Sequence, residues 1–510
     1  MNPRSLSVGI RPTRRTKCSA VFLAWTCIGV VLAGAGYSYA AVQLPPVFSD
    51  HMVLQAGRNI PVWGTASPGE KVTVDIDGQR KSAVAGEDGK WTLTLDTLKA
   101  GATPTLSVQG SDITPRVISD VLVGEVWLCS GQSNMAFPVS KAKNAAEEIA
   151  GANWPKIRMF QPNSKWVVCS PQTAGAFSAT AYYFGREIHQ KTGAPVGLLN
   201  VSSGGTPIEF WTDAKVQKAV PGLKPLFDET QTAVPAAEDA KQAESDQQQA
   251  VEAEGTRAVK SAKTAPGALF EKRILPLVPF ALRGVIWYQG EANSYTQHAN
   301  LYGLQLATMI KDWRSRWGYD FAFISVQLPE FSAPQSAPMQ THGRVLVREG
   351  VLKSLELPNA GMAVTLGTGE EKSNHPLNKQ EAGKRLAHWA LAKVYGKSDI
   401  AASGPLPSGS RVDGPRVVVS FSNADGGLVA QGGGPLKGFA ISGTDGKWVW
   451  GDAKIEGDSV AVSSPEVKDP VAVRYAWAIN PAGCNLANGA GLPATPFRTD
   501  NEPLANKAGQ

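Results

Sequence analysis

A polar segment that follows an apolar run at residues 126–135, VWLCSGQSNM, contains two serines that could act as nucleophiles. Gly131 permits a sharp turn after a strand, and such a turn lifts a serine above the edge of a sheet. There Ser133 could meet a histidine base and direct its own backbone N–H toward a substrate carbonyl. Ser130 is an equal candidate on chemistry alone. The lipase pattern G-x-S-x-G is absent, because Met135 stands where its second glycine would be.

Apolar runs alternate with helical patterns across residues 120–398, which predicts an α/β domain built on a parallel sheet. The apolar runs include VLVGEVWLCSG, PVGLLNVSSGG, RGVIWYQGE and FAFISVQLP, and the helical patterns include SATAYYFGREIHQKTG. Ligands usually bind at the carboxyl ends of parallel strands. The serine segment follows such a strand, so the pattern places its serines at the edge where a site is expected.

The regions on either side of this domain show patterns typical of β-strands. The chain of 510 residues is long enough for three or four units, and its 52 glycines and 35 prolines favour short strands joined by turns. In residues 41–119 apolar and polar residues alternate at 72–76 and 91–95, and Asp-Gly pairs mark turns. In residues 399–500 we predict strands at 416–420, 438–442, 447–451 and 471–477. Both regions are interpreted as β-sandwich-like domains.

Two segments are predicted to lie outside the hydrophobic cores. Residues 231–264 are rich in Ala, Gln, Glu and Lys and contain no aromatic residue, which indicates an exposed helical insertion in the α/β domain. Residues 501–510 are predicted to be a disordered tail.

The first forty residues resemble a leader rather than a folded element. Five basic residues precede an apolar run at about 20–36, and small residues near position 40 offer a cleavage site. We predict a signal peptide at residues 1–40 and export to the periplasm or the exterior, with an uncleaved membrane anchor as the alternative. Removing the leader lowers the formal net charge from +6 to about +1. This small charge argues against a nucleic-acid partner. No later stretch is long and apolar enough to cross a bilayer, so no stable membrane insertion of the mature chain is expected.

Cys129, Cys169 and Cys484 remain after removal of a leader that contains the other two cysteines. In an oxidising compartment one disulfide and one free thiol are an option. The spacing suits neither a zinc site nor a redox pair, and we expect no metal and no cofactor.

Four segments together resemble the sialate O-acetylesterase family of the SGNH hydrolases. CSGQSNM resembles the family's first motif, with Ser133 at the nucleophile position. SSGGTPIEFW, GVIWYQGEAN and NHPLNKQEAGKRLA resemble its later blocks in the family's order, and FSDHMVLQ and GLPATPFRTD resemble its flanks. The resemblance covers nearly the whole mature chain. It implies a three-layer α/β/α SGNH domain flanked by N-terminal and C-terminal β-sandwich-like domains.

The resemblance also implies an ester-hydrolysing site. The expected oxyanion donors are the backbone N–H groups of Ser133 and Gly205 and the side chain of Gln289, with Asn293 as an alternative. Glu291 is expected to orient loops by hydrogen bonding rather than to titrate. The full expected set is Gln132, Ser133, Asn134, Gly204, Gly205, Gln289, Glu291, Asn293 and His375.

His375 is predicted to be the base. It precedes Pro376 and a helix expected from about Asn378, which places it on a loop facing the strand ends. The other five histidines fall in the N-terminal region, in helical patterns or in loops without motif support: His51, His189, His298, His342 and His388.

The histidine block departs from the family pattern. Bacterial relatives often read Asp-x-His-Pro, whereas Ser373 occupies the carboxylate position here. The imidazole could be oriented by Glu370, by Glu371 or by a backbone carbonyl, or the site could work as a Ser-His dyad. A second departure is the charged run at 271–273, which could line the substrate entrance or form a solvated edge.

The sequence therefore predicts a serine esterase that removes acetyl groups from carbohydrates through an acetyl-serine intermediate. The resemblance implies sialic acids or acetylated plant glycans such as xylan and xyloglucan as substrates. The alternative is a carbohydrate-binding protein with a degenerate hydrolase core; the altered histidine block favours it, and the intact Ser133, Gln289 and His375 oppose it. A lipase would need an apolar lid, and the sequence contains no such segment.

Overall fold

The chain is described by a computed structural model. It describes residues 42–111, 114–161, 165–228, 265–481 and 483–502. The predicted leader at 1–40, the predicted insertion at 231–264 and residues 503–510 of the predicted tail lie outside the described residues. The leader and the export that it implies therefore stay predictions.

The N-terminal region consists of short strands with the predicted alternation. Along Lys71–Ile76 the residues alternate between buried and more exposed positions, because one face of each antiparallel strand packs on the core. The strands pair in a two-stranded and a four-stranded sheet, β2-β5 and β4-β3-β6-β7. In chain order they are β1 Val53–Gln55, β2 Ile60–Thr65, β3 Lys71–Ile76, β4 Gln79–Val84, β5 Lys90–Leu95, β6 Leu106–Gln109 and β7 Arg116–Ile118.

The central region is an α/β structure with a largely parallel sheet, as predicted. The strand order is β10-β9-β11-β8-β12-β13-β14, and β10 runs antiparallel at the edge. Every residue of β8 is buried, which explains why this strand is mostly apolar; its one charged residue, Glu125, pairs with Arg283. The strands are β8 Leu122–Gly131, β9 Trp154–Phe160, β10 Trp166–Cys169, β11 Val196–Asn200, β12 Gly284–Tyr288, β13 Ala322–Gln327 and β14 Ala360–Val364.

The first strand of the N-terminal region belongs to this central sheet. β1 pairs in parallel with the start of β8, with Val53 opposite Leu122. The predicted N-terminal domain and the α/β domain thus share a sheet across the predicted boundary at 119/120.

Four helices of the central region form two closely packed pairs. At Gly383 a Cβ atom would lie 2.6 Å from the Cβ of Tyr183, and at Gly303 one would lie 3.1 Å from the Cα of Gly350. These glycines let α3 approach α9, and α7 approach α8. The helices are α1 Ser133–Ala136, α2 Ala145–Ala150, α3 Ala179–Thr192, α4 Ala214–Lys218, α5 Pro225–Asp228, α6 Glu291–Ser294, α7 Tyr302–Trp317, α8 Gly343–Lys353 and α9 Lys379–Lys393. Among the described residues, none of these helices has the length and apolar character to span a bilayer.

The C-terminal region is again made of strands. They form two four-stranded sheets, β15-β16-β21-β20 and β19-β18-β22-β24, and the two-stranded sheet β17-β23. The strands are β15 Leu406–Asp413, β16 Arg416–Ser422, β17 Leu428–Ala430, β18 Phe439–Gly443, β19 Trp448–Trp450, β20 Asp452–Glu456, β21 Ser459–Ser463, β22 Pro470–Tyr475, β23 Leu486–Asn488 and β24 Phe497–Arg498. Each of the four predicted strands here overlaps an observed one.

The three cysteines after the leader are free thiols, so the disulfide considered from their number is not formed among the described residues. Cys129 is buried in β8, and Cys169 is buried in the edge strand β10. Burial raises the pKa of Cys169 to about 12, and it raises the pKa of Cys129 further. Thiols in this state are unreactive at neutral pH.

Candidate active site

A glycine turn at the carboxyl end of β8 positions Ser133. Gly131 has φ of +136°, and a Cβ atom there would lie 2.1 Å from the carbonyl oxygen of Tyr288, the last residue of β12. The backbone N–H of Gln132 donates to the same oxygen at 2.9 Å. The chain therefore leaves the sheet at Gly131, and α1 begins at Ser133.

We expect Gly131→Ala to lower the free energy of unfolding by about 3–5 kcal/mol, because the new methyl group overlaps a backbone carbonyl and the residue must hold a positive φ. Urea denaturation followed by tryptophan fluorescence measures the loss. Gly318→Ala is the matched control, since Gly318 also has a positive φ of +76° but open space around its Cα. That control should cost about 1–2 kcal/mol. Equal losses in the two variants would contradict the importance of the contact with Tyr288.

The structure brings the predicted nucleophile and base together. His375 Nε2 lies 2.8 Å from Ser133 Oγ, and both side chains are half-buried. The ring of Phe137 stacks beside the imidazole at 6.2 Å between centroids. Ser130, the rival on chemistry alone, is 0% exposed within β8. The geometry thus separates two serines that the chemistry left equal.

The glycine block lies directly against the nucleophile turn. The backbone N–H of Ser203 donates to the Gly131 carbonyl at 2.9 Å, and a Cβ atom at Gly204 would lie 3.7 Å from the Cβ of Ser133. Gly205 has φ of +66°, a conformation that favours glycine. Ser133 is the first residue of α1, so its backbone N–H has no hydrogen-bond acceptor within that helix. This N–H and the glycine backbone are suited to bind an oxyanion.

Gln289, expected as an oxyanion donor, is surrounded by protein oxygens. Its Nε2 lies 2.7 Å from Asn293 Oδ1, 3.1 Å from Gln132 Oε1 and 3.2 Å from the Thr206 carbonyl. An amide nitrogen carries two hydrogens, and three protein oxygens already surround this one. The side chain is 0% exposed. Gln289 therefore connects three loops to one another, and its part as an oxyanion donor stays a prediction.

The alternative donor, Asn293, is engaged in the same way. Its Nδ2 donates to Glu209 Oε2 at 3.0 Å, and its Oδ1 accepts the Ile208 N–H at 3.0 Å. Gln132 Oε1 accepts the Ala292 N–H at 3.2 Å. Hydrogen bonds of buried amides thus link the serine block, the glycine block and the Gln-Gly-Glu block to one another.

Asn134 and Glu291 connect the nucleophile helix to the histidine loop. Asn134 Nδ2 donates to Glu291 Oε1, and it also donates to the Asn374 carbonyl at 2.9 Å. Both side chains are buried. Glu291 thus accepts a hydrogen bond that links its loop to the nucleophile helix, and its expected part in orienting the loops stays a prediction.

Lys379 belongs to the same cluster, and the sequence analysis did not single it out. Its Nζ lies 2.6 Å from Asn134 Oδ1 and 2.6 Å from the Pro376 carbonyl. The available signal was its position in the histidine block, four residues after His375. A lysine is common on an exposed helix, however, and its burial here depends on tertiary packing.

The acidic residues near His375 hold the loop that carries it. Glu370 Oε1 accepts the Leu377 N–H at 2.7 Å. Ser373, at the position where relatives often carry aspartate, accepts the His375 N–H on its Oγ at 3.0 Å. Glu371 is exposed, and its backbone carbonyl accepts the Ser332 N–H at 3.0 Å.

The charged run at 271–273 includes a structural arginine. Arg273 lies in the π-helical segment Phe270–Ile274 and donates to the Ser202 carbonyl at 2.6 Å and to the Val201 carbonyl at 3.2 Å. It therefore fixes the strand end that leads into the glycine block.

The largely parallel sheet brings Ser133 and His375 together at its strand ends, an arrangement that suits a hydrolase. The sequence model of the family described as "Carbohydrate esterase, sialic acid-specific acetylesterase" matches residues 123–392. The chain belongs to this family, and it is a carboxylic ester hydrolase. The family predicted from the four motifs is confirmed, and the inactive binding protein considered as an alternative is not supported.

Similar proteins agree with this assignment. The sialate O-acetylesterase of Mus musculus is 29% identical over 441 residues, which cover 74% of this chain and 76% of that protein. The sialate O-acetylesterase of Homo sapiens is 28% identical over 425 residues, with 74% of each chain covered. A solved structure of a carbohydrate acetylesterase from Xanthomonas citri superposes with a TM-score of 0.78 at 34% identity, covering 90% of this chain and 100% of that one.

Proposed function

We propose that this chain hydrolyses O-acetyl esters on carbohydrates through an acetyl-Ser133 intermediate, with His375 as the general base. The observation that carries the proposal is the 2.8 Å contact between His375 Nε2 and Ser133 Oγ at the carboxyl end of β8. Family membership supports the ester bond as the target, and the names of the similar proteins support an acetylated sugar.

The first half of the proposed reaction transfers the acetyl group to the enzyme. His375 Nε2 accepts the Ser133 Oγ proton while Oγ attacks the carbonyl carbon of the acetyl ester. The negative charge that develops on the carbonyl oxygen is stabilised by the backbone N–H groups of Ser133 and Gly205. The intermediate collapses when the C–O bond to the sugar breaks, and Nε2 returns the proton to the departing sugar oxygen.

The second half releases acetate. A water molecule gives a proton to His375 Nε2 and attacks the carbonyl carbon of acetyl-Ser133. The same backbone N–H groups stabilise the second oxyanion, and the proton returns to Ser133 Oγ as acetate leaves. Each step uses atoms of this chain, water and the ester.

We extend the proposal to the fold: the central region is an SGNH-type three-layer α/β/α domain. Two observations support it, the largely parallel sheet and the two helix pairs, α3 with α9 and α7 with α8, that pack on it. The strand regions on both sides fit the β-sandwich-like domains that the family resemblance implies.

The proposal predicts a strong preference for short acyl groups. Because the glycine block lies against Ser133, we expect it to leave little room for an acyl group longer than acetyl. We expect kcat/KM for an acetate ester to exceed that for the butyrate ester at least about tenfold, and that for octanoate by more. A series of 4-nitrophenyl esters measures this ratio, and a preference for octanoate would contradict a sugar acetylesterase. A separate assay of acetate release from acetylated sialic acid, xylan and xyloglucan identifies the sugar.

A further inference from the structure

Lys379 is a buried ionisable residue that the proposed reaction does not use. It is the first residue of α9, four residues after His375, and it is 0% exposed. Burial of an amino group costs free energy unless hydrogen bonds compensate. Here Nζ donates to Asn134 Oδ1 and to the Pro376 carbonyl, each at 2.6 Å. Two hydrogen bonds to protein oxygens therefore replace the water molecules that would surround an exposed amino group.

The two acceptors flank the proposed catalytic pair. Asn134 directly follows Ser133, and Pro376 directly follows His375. Asn134 also donates to the carbonyl of Asn374, the residue before His375, at 2.9 Å. The carbonyls on both sides of His375 are thus held by a cluster that contains the neighbour of the nucleophile.

The cluster keeps its hydrogen bonds in either charge state of Lys379. Burial lowers the pKa of Lys379 to about 7, and the carboxylates of Glu291 and Glu370 oppose this shift. The ring of Tyr288 lies 5.8 Å from Nζ. An ammonium has three N–H groups and a neutral amine has two, and the two oxygens need two donors. The contact therefore persists near neutral pH.

We propose that Lys379 is a positioning residue that holds the His375 loop against the Ser133 turn through Asn134 and Pro376. The inference rests on the proposed function of Ser133 and His375. Without the amino group, two buried oxygens lose their donor, and the histidine loop relaxes away from α1. A displacement of about 1 Å in a catalytic contact costs on the order of 100-fold in rate.

Lys379→Met tests the proposal, because it keeps a buried stem of similar size and removes both donated hydrogen bonds. With 4-nitrophenyl acetate we expect kcat to fall about 30- to 100-fold while KM stays within about twofold. Lys384→Met is the matched control, since it removes an exposed lysine from the same helix. Its kcat should equal that of the wild type.

Labelling with a fluorophosphonate separates mispositioning from loss of folded protein. Ser133 Oγ displaces fluoride from phosphorus, so the labelling rate reports how well His375 activates Ser133 in each variant. Misfolding lowers the labelled fraction at an unchanged rate. Mispositioning leaves the final fraction unchanged and slows the rate about 30- to 100-fold, which is the result we expect. Labelling of Lys379→Met at the wild-type rate overturns the proposal.

Two further outcomes are distinguishable. If the wild type is not labelled at Ser133, the proposed nucleophile is wrong, and the inference about Lys379 falls with it. If Lys379→Met does not fold, Asn134→Ala removes the other end of the same contact and should slow labelling about tenfold or more. Wild-type labelling by Asn134→Ala then overturns the proposal.

Discussion

Ser133→Ala is expected to lower kcat for 4-nitrophenyl acetate about 10⁵-fold, as removal of an activated nucleophile does in serine hydrolases. The reason is the 2.8 Å contact that lets His375 Nε2 take the Oγ proton. Without Oγ no acetyl-enzyme forms. Mass spectrometry of the quenched reaction should therefore find the mass increase of one acetyl group, about 42 Da, on the wild type and not on the variant. The thermal unfolding midpoint should change little, since the Ser133 side chain is only half-buried and lies outside the packed core.

Ser130→Ala is the control for this variant. Ser130 lies three residues earlier, inside β8, and its Oγ is buried without a hydrogen-bond partner among the described residues. Removing this hydroxyl group should leave kcat within about threefold of the wild type, because no partner is left unsatisfied. An essential Ser130 beside a dispensable Ser133 would show that the turn after β8 has been placed wrongly.

The strands that carry the site could be predicted because their signal is local. β8, β11, β12 and β13 are buried along their whole length, so each reads as an apolar run followed by a polar segment. The motifs that follow β8, β11 and β12 meet for the same reason: parallel strands bring their carboxyl ends to one edge. The pairing of β1 with β8 could not be predicted, because β1 has three residues and resembles its neighbours in pattern.

The contacts of individual polar side chains in the site could be predicted less well. Gln289 follows a strand in a motif, but its partners Gln132 and Thr206 lie 157 and 83 residues away in the sequence. The direction in which an amide points depends on those distant partners. Lys379 presents the same difficulty, because its burial depends on Asn134, 245 residues earlier. Composition and spacing contain no record of such contacts.

His375→Ala should lower kcat by about 10⁵-fold as well, because loss of the base alone removes most of the activation of a serine nucleophile. Glu370→Gln is the informative companion. Glu370 accepts the Leu377 N–H, and the carbonyl oxygen of a glutamine can accept the same hydrogen bond. We therefore expect less than about a threefold loss of kcat in Glu370→Gln. A loss of several orders of magnitude would instead make Glu370 the group that orients the imidazole.

Ser373→Asp tests the orientation of His375 by adding a carboxylate, whereas Glu370→Gln removes one. Ser373 Oγ lies 3.0 Å from the backbone nitrogen of His375, so an aspartate at this position adds a negative charge beside the residue that carries the imidazole. A nearby carboxylate stabilises the imidazolium form and raises the pKa of the ring. The base must be unprotonated to accept the Ser133 proton, so the acid limb of the kcat/KM profile should move to higher pH by about one unit. Ser373→Asn, which adds a similar volume without the charge, should leave the limb in place. An unchanged limb in Ser373→Asp would show that side chains at position 373 do not face the imidazole, and that the family's aspartate position has been aligned incorrectly with this serine.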